Sequence, residues 1–284
     1  MKNIKQILFE SEKILKDNHI EKPRLESQIL LSHILKLEKY QLITNEEYNL
    51  SFKEEKYFFK LIKNKITGMP TAYLIQKKEF YSNDFFVNKN VLIPRPETEE
   101  LVEWIINSVN HKIKYKLLDI GSGSGCIGIT LGLYCNIEYL EFLDICKKAL
   151  KICKLNADKL IPLDKGIKIK YNNKNILKYK INNPKFNIIV SNPPYVTEEE
   201  YTTLTRTVKK FEPKKALLIK KPDDFYTKFF NIVYLLLESK GLFFLETNPI
   251  LIKNQIKILK KIGFYDIKIK KDFSNKDRFI MAMV

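Results

Sequence analysis

Strands that alternate with helical patterns and close in a terminal hairpin predict an α/β fold, its sheet mostly parallel with an antiparallel strand at one end. Two stretches carry that prediction. The run Leu117-Leu118-Asp119-Ile120 opens directly into a glycine-rich turn, Gly121-Ser122-Gly123-Ser124-Gly125, and then into Cys126-Ile127 at the head of a helix. The apolar, β-branched run Phe186-Asn187-Ile188-Ile189-Val190-Ser191 stops at Asn192-Pro193-Pro194-Tyr195, where two prolines remove backbone donors and forbid further ladder pairing. Both turns therefore sit at strand carboxyl ends, the edge at which open α/β sheets bind ligands.

The chain has 284 residues, enough for about two domains on the usual length prior. No apolar run approaches membrane-span length and the start, Met1-Lys2-Asn3-Ile4-Lys5-Gln6, lacks a signal-peptide core, so a soluble, cytoplasmic protein is expected. Cys126, Cys135, Cys146 and Cys153 lack the paired spacing of a zinc site, and His19, His33 and His111 are scattered, so no metal is expected and the cysteines read as reduced core residues. The formal charge of +17 is weak evidence for a nucleic-acid partner, because the lysines are spread over surface helices along with abundant asparagine and isoleucine.

Residues 1–75 read as a helical domain. Ile4, Ile7, Leu8, Ser11, Ile14 and Leu15 share one helical face, Pro23 opens a second pattern, and Ser51 with Glu54 forms a capping box for a third helix that stops near Gly68 and Pro70. This segment carries no chemistry; its expected use is to dock a macromolecular partner. Residues 76–93 read as a β-hairpin linker, and 94–284 as the catalytic domain. That domain opens with Pro96 at a first helical position followed by acids in the first turn, where the helix dipole favours them.

A glycine turn between strand and helix lets backbone approach a ligand and points helix-terminal N–H groups at it. A second strand, Tyr139 to Leu143, ends in Asp144, about 20 residues beyond the glycines, where a ribose-binding acid belongs. Asp119 would repel a pyrophosphate yet accept from an ammonium, which favours S-adenosylmethionine over a dinucleotide. Asn192 offers an acceptor and an NH2 donor, the Pro193 carbonyl is a second acceptor, and Tyr195 supplies a flat face, a set suited to a planar group bearing NH2. The loop Asn172 to Ile176, after the strand Ile167 to Tyr171, lies near the expected adenine. A fifth strand, Gly241 to Glu246, follows a helix over Phe225 to Leu237; a further helix ends at Gly263, and the strands Tyr265 to Lys271 and Arg278 to Val284 close the chain.

These residues resemble the HemK/PrmC family of release factor glutamine methyltransferases. The resemblance spans essentially the whole chain and rests on Ile93-Pro94-Arg95-Pro96-Glu97-Thr98-Glu99, the glycine turn, Ser191 to Tyr195, Phe211-Glu212-Pro213 with Ala216-Leu217, and Lys271-Asp272 with Asp277-Arg278. It implies a Rossmann-like S-adenosylmethionine-dependent methyltransferase sheet with an N-terminal helical domain and a linking hairpin. It also implies methylation of the glutamine amide in the Gly-Gly-Gln motif of peptide chain release factors. By resemblance, Gly121, Ser122, Gly123, Ser124, Gly125, Asp144, Asn175, Ile176 and Asn192 bind the cofactor. Asn192, Pro193, Pro194 and Tyr195 bind the substrate, and Asn192, Pro193 and Tyr195 are catalytic. The expected partners are release factors, with no membrane and no direct nucleic-acid binding. Two positions and one stretch depart from the family: Asn175 replaces its usual Asp, Gln76 a glycine, and Leu218 to Asp224 lacks its glycines. Because the tetrapeptide also occurs in nucleic-acid adenine methyltransferases, that activity is an alternative, as is a degenerate protein that binds cofactor or release factor without turnover.

Overall fold

The computed structural model describes residues 2–179 and 186–284 and divides into two compact units, Met1–Lys77 with Thr205–Phe211, and Lys78–Leu204 with Glu212–Val284. The single stretch anticipated from 94 to 284 is thus interrupted, and the hairpin groups with the second unit.

The first unit contains α1 (Ile4–Asp17), α2 (Pro23–Leu35), α3 (Lys39–Thr44), α4 (Phe52–Ile66) and α5 (Thr71–Leu74). Capping boxes start α1, from Asn3 with Gln6, and α4, from Ser51 with Glu54. Ile4, Ile7 and Leu15 of α1 meet Leu30, Phe58 and Ile62 in a closed core. Short helices α3 and α5 escape periodicity because each offers little more than one turn. Gln76 holds φ +54, a left-handed conformation that costs a residue with a Cβ about 1–2 kcal/mol and that a glycine would adopt freely.

The hairpin consists of β1 (Lys77–Phe80) and β2 (Asn83–Phe86). Its two turn residues, Tyr81 and Ser82, both have positive φ, the backbone twist that two-residue hairpin loops require, although neither is glycine or asparagine.

The rest of the second unit runs α6 (Pro96–Ser108), β3 (Tyr115–Ile120), α7 (Cys126–Tyr134), β4 (Ile137–Leu143), α8 (Lys147–Leu160), β5 (Lys168–Asn172), β6 (Phe186–Ser191) and α9 (Glu198–Thr203). Then come α10 (Arg206–Phe211), which groups with the first unit, α11 (Lys214–Leu217), α12 (Pro222–Leu236), β7 (Leu237–Glu246), α13 (Pro249–Ile262), β8 (Tyr265–Lys271) and β9 (Asp277–Met283). Seven strands form one sheet in the order β5-β4-β3-β6-β7-β9-β8, parallel from β5 to β7, with β9 antiparallel to both its neighbours.

Both sheet faces are covered, so the central strands are apolar at nearly every position. Leu117, Val190 and Phe244 pack on one side with α6 and α7; Leu118, Ile189 and Phe243 pack on the other with α12 and α13. Helix α7 is buried all round and lies close on the sheet. A Cβ at Gly128 would come within 2.5 Å of the Phe142 ring and 2.9 Å of Asp119 Oδ2. The four cysteines are free thiols, three of them buried. Among the described residues no helix is long and apolar enough to cross a membrane, and no cluster of His, Cys, Asp or Glu could hold a metal ion.

Candidate active site

Strand register builds the site. Leu143, Ile120, Ser191 and Leu245 lie in one row across β4, β3, β6 and β7. The residues that follow them, Asp144, Gly121, Asn192 and Glu246, therefore stand side by side at this edge; the first three leave the sheet, and Glu246 is the last paired residue of β7. Strand order reverses between β3 and β6, so this row straddles the topological switch point of the sheet.

The glycine turn divides into two kinds of position. Gly121 and Gly123 have positive φ, and a Cβ on either would meet nothing nearer than a backbone oxygen 3.9 Å away, so both face open space. Gly125 faces the core, since a Cβ there would stand 2.8 Å from Cys153 Sγ and from Ile129 Cδ1. Ser122 and Ser124 are buried, and the Ser124 carbonyl accepts from Asn156 Nδ2 at 2.9 Å. No sequence motif singles out Asn156. Its amide also exchanges hydrogen bonds with the Phe86 backbone, tying β2 to the turn through a contact 70 residues apart.

Asp144 closes onto the turn. Its Oδ2 accepts from Gly123 N–H at 2.9 Å and its Oδ1 from Cys146 N–H at 2.7 Å, just ahead of α8. Burial raises its carboxyl above the ordinary range, and these two bonds pull it back down. Asp119 lies beneath the turn, almost fully buried, with Oδ2 accepting from Gly128 N–H at 3.0 Å. Burial pushes its carboxyl up to about 7 against that bond, with the nearby charge of Asp144 adding to the rise. One Asp119 oxygen is thus spent on α7, which makes it a support for the helix.

Asn175 and Ile176 sit on a single 3-10 turn after β5. Asn175 Oδ1 caps Leu177 N–H at 3.0 Å, and Ile176 packs in the core with Ile120 and Leu143. The preceding loop is joined to the row by Asn173 Nδ2, which donates to the Asp144 carbonyl at 2.9 Å.

At the tetrapeptide, Pro193 is buried while Asn192, Pro194 and Tyr195 are half-buried. Asn192 Nδ2 donates to Thr98 Oγ1 at 3.3 Å, and that hydroxyl donates to Glu246 Oε2 at 2.7 Å. Tyr195 donates its phenol to Glu246 Oε1 at 3.1 Å. Glu246 is thus a fully buried carboxylate spanning both ends of the tetrapeptide; burial raises its affinity for a proton, which the Thr98 and Tyr195 bonds and the charge of Arg278 oppose. Burial and that carboxylate together push the Tyr195 phenol up. The backbone beyond is held by Asn248, which donates to the Tyr195 carbonyl at 3.4 Å and to Glu200 at 2.7 Å.

Four further signature residues form two ion pairs. Arg95 pairs with Glu212 at 2.7 Å, Arg278 with Asp272 at 3.2 Å, and Arg278 also reaches the Thr247 carbonyl. Leu217 and Ile219, in and beside the stretch without glycines, bond the Val196 backbone on both sides, a short ladder that needs no glycine.

Comparison with known proteins decides the family. The chain is 35% identical to the release factor glutamine methyltransferase of Leptospira interrogans over 98% of this chain and 97% of that one. It is also 35% identical to the enzyme of that name from Clostridium acetobutylicum, over 99% and 98%. The chain belongs to the release factor glutamine methyltransferase family. Within it, residues 6–75 match the PrmC N-terminal domain and residues 98–216 the methyltransferase small domain. The crystal structure of a methyltransferase from Pyrococcus furiosus shares the fold, with TM-score 0.51 and 15% identity over 72% of this chain and 91% of that one. Sequence reasoning missed Thr98 and Glu246 as parts of the site. Thr98 lies inside the Pro-Arg-Pro-Glu-Thr signature and Glu246 ends a recognised strand, but nothing local in the sequence brings together residues 148 positions apart.

Proposed function

We propose that the protein transfers a methyl group from S-adenosylmethionine to the side-chain amide nitrogen of the glutamine in the Gly-Gly-Gln motif of release factors. What carries the choice of glutamine over a nucleic-acid base is a pair of near-full-length relatives, matched through both units, that are named for that substrate. The site fits the methyl donor on its own terms: two left-handed glycines with open space before them leave room for backbone to approach it, and Asp144 stands beside them with two lone pairs not used by Gly123 and Cys146. Gly121, Gly123, Asp144 and Asn175 would hold it, and when bound it supplies an electrophilic methyl group on a positively charged sulfur.

The chain's own work is placement. An amide nitrogen is a weak nucleophile because its lone pair is delocalised, and the titratable groups at the tetrapeptide, Glu246 and Tyr195, are already hydrogen-bonded to each other. Orientation of reactants contributes roughly 7–11 kcal/mol in favourable cases, enough to account for the rate in kind. Asn192 Oδ1 and the Pro193 carbonyl would accept the two NH2 hydrogens of the glutamine and orient its nitrogen, which gives up one of those hydrogens as a proton in becoming the neutral N-methylamide, while the Tyr195 ring would pack on the amide plane. The reading places the enzyme in the cytoplasm, where its substrate works, and assigns no role to direct nucleic-acid binding.

The test is incubation of purified protein and labelled S-adenosylmethionine with release factor and, separately, with oligonucleotides, followed by mass spectrometry. Label on the Gly-Gly-Gln glutamine is the expected result. Label on adenine alone would transfer the assignment to a nucleic-acid enzyme, and bound cofactor with no transfer to either would mean a protein without turnover.

A further inference from the structure

The Asn192 amide has two ends, and only one of them serves the reaction proposed above. Its NH2 faces Thr98 Oγ1 at 3.3 Å, and Thr98 in turn faces Glu246 Oε2 at 2.7 Å. A threonine hydroxyl carries one proton and two lone pairs, while an ionised carboxylate only accepts. With Glu246 ionised, the Thr98 proton is committed to it and Thr98 presents only lone pairs to Asn192. An amide NH2 is then attracted to that position and an amide oxygen repelled. Chemistry therefore fixes the amide, independently of how its oxygen and nitrogen are told apart.

We propose that Glu246, acting through the Thr98 hydroxyl, is the positioning residue that turns the Asn192 carbonyl oxygen toward the substrate. The inference rests on the reading that Asn192 Oδ1 accepts from the substrate amide. Glu246 is buried with its two oxygens held by Thr98 and Tyr195, so it acts through these two side chains. The groups that act on it are Thr98 and Glu97 on α6, Tyr195 after β6, Arg278 on β9 and the Cys126 thiol on α7, of which Arg278 favours its charge and Glu97 opposes it. Were Glu246 neutral, its single O–H or its NH2 in a glutamine variant could donate to Thr98. The hydroxyl would then be free to donate to Asn192, and the amide would turn its NH2 outward, toward another NH2.

The test compares Thr98→Val, Thr98→Ser and Glu246→Gln. Thr98→Val keeps shape and removes the relay; it should lower kcat on release factor about ten- to hundredfold, or about 1.4–2.7 kcal/mol of barrier, with KM and cofactor Kd within about threefold. Thr98→Ser keeps the hydroxyl and should retain kcat within about threefold. The pair Thr98→Val/Glu246→Gln should lose no more than the worse single variant, because the two act through one bond. Full activity in Thr98→Val, or losses that multiply in the double variant, would overturn the relay. Should Glu246→Gln fail to fold, the Val and Ser variants decide alone. A second readout does not depend on the methylation reaction: hydrogen exchange of the Asn192 side-chain NH2 by nuclear magnetic resonance, its signal identified by loss in Asn192→Ala. Slow exchange in the wild type that becomes fast in Thr98→Val supports the relay even if no release factor is methylated; equal exchange in both refutes it even if one is.

Discussion

A residue's type is visible in sequence, but its orientation is not. Asn192 is recognisable as an amide at a strand end, and from that alone Asn192→Asp would be expected to keep part of the activity by keeping an acceptor. The Thr98 contact reverses that expectation, because a carboxylate at this position would face lone pairs instead of a proton and stand close to buried Glu246. At pH 8 we predict that Asn192→Asp loses as much turnover as Asn192→Ala. Each should fall on the order of a hundredfold to a thousandfold, by analogy with removal of one oriented group from an oxyanion site. Single-turnover methyl transfer at saturating cofactor measures it, and an Asn192→Asp enzyme clearly faster than the Asn192→Ala enzyme would mean that Thr98 does not constrain this position. The site residues legible from sequence are those of the glycine turn, of the tetrapeptide, of the loop after β5, and Asp144 after β4. Thr98, Asn156 and Glu246 are the others, and each acts through a partner at least 70 residues away.

At the scale of elements, strands and long helices leave a pattern because burial on both sheet faces forces apolar runs and capping forces polar ones. Helix α13 is legible from its period and from Gly263, whose φ of +116 ends it. The short helices α9 to α11 are not: they are four to six residues long, and α9 is announced only by the capping box of Thr197 with Glu200. Helix α7 is legible as a helix but its closeness to the sheet is not, since Gly128 looks like any glycine until Phe142 and Asp119 are found against it. That closeness has a pH signature. The folded-state Asp119 carboxyl, pushed up to about 7, lies above its value near 4 in an unfolded chain. The folded state then binds the proton more tightly, so this contribution is fully present below about pH 4 and is lost as pH rises through about 7. Asp119→Asn keeps an acceptor for Gly128 N–H but cannot ionise. Its unfolding free energy should therefore fall less than the wild type's between pH 5 and pH 8, by about 2–3 kcal/mol, the part of the shift that this interval spans. Urea denaturation at the two pH values measures the difference, and identical pH dependence in both proteins would mean that Asp119 is ionised at ordinary carboxylate pH.

The whole molecule adds a connection that no local pattern contains. The chain leaves the second unit after Leu204 and rejoins it at Glu212, so Thr205–Phe211 belongs to a unit whose other members lie more than 120 residues earlier. Glu212 is the point of return. Its side chain is 2% exposed, pairs with Arg95 Nη2 at 2.7 Å and accepts from Ile93 N–H at 3.3 Å. Two signatures that look unrelated in sequence, Pro-Arg-Pro-Glu-Thr and Phe-Glu-Pro, are thus the two halves of one ion pair that fastens the returning chain to the start of α6. Removing one partner of a buried pair leaves a charge without compensation and costs about 3–5 kcal/mol, a figure to be lowered here because Arg95 keeps 32% of its side-chain exposure. We predict that Arg95→Leu destabilises the second unit by about 2–3 kcal/mol. The double variant Arg95→Leu/Glu212→Leu should recover part of that loss, since no unpaired charge is left, but not all of it. The Ile93 N–H then loses its acceptor, at a cost of about 1–3 kcal/mol. Chemical denaturation of the three proteins tests the argument. If the double variant is less stable than Arg95→Leu, the cost lies in packing around Glu212 and not in its charge, and the ion pair is not what fastens the chain at its return.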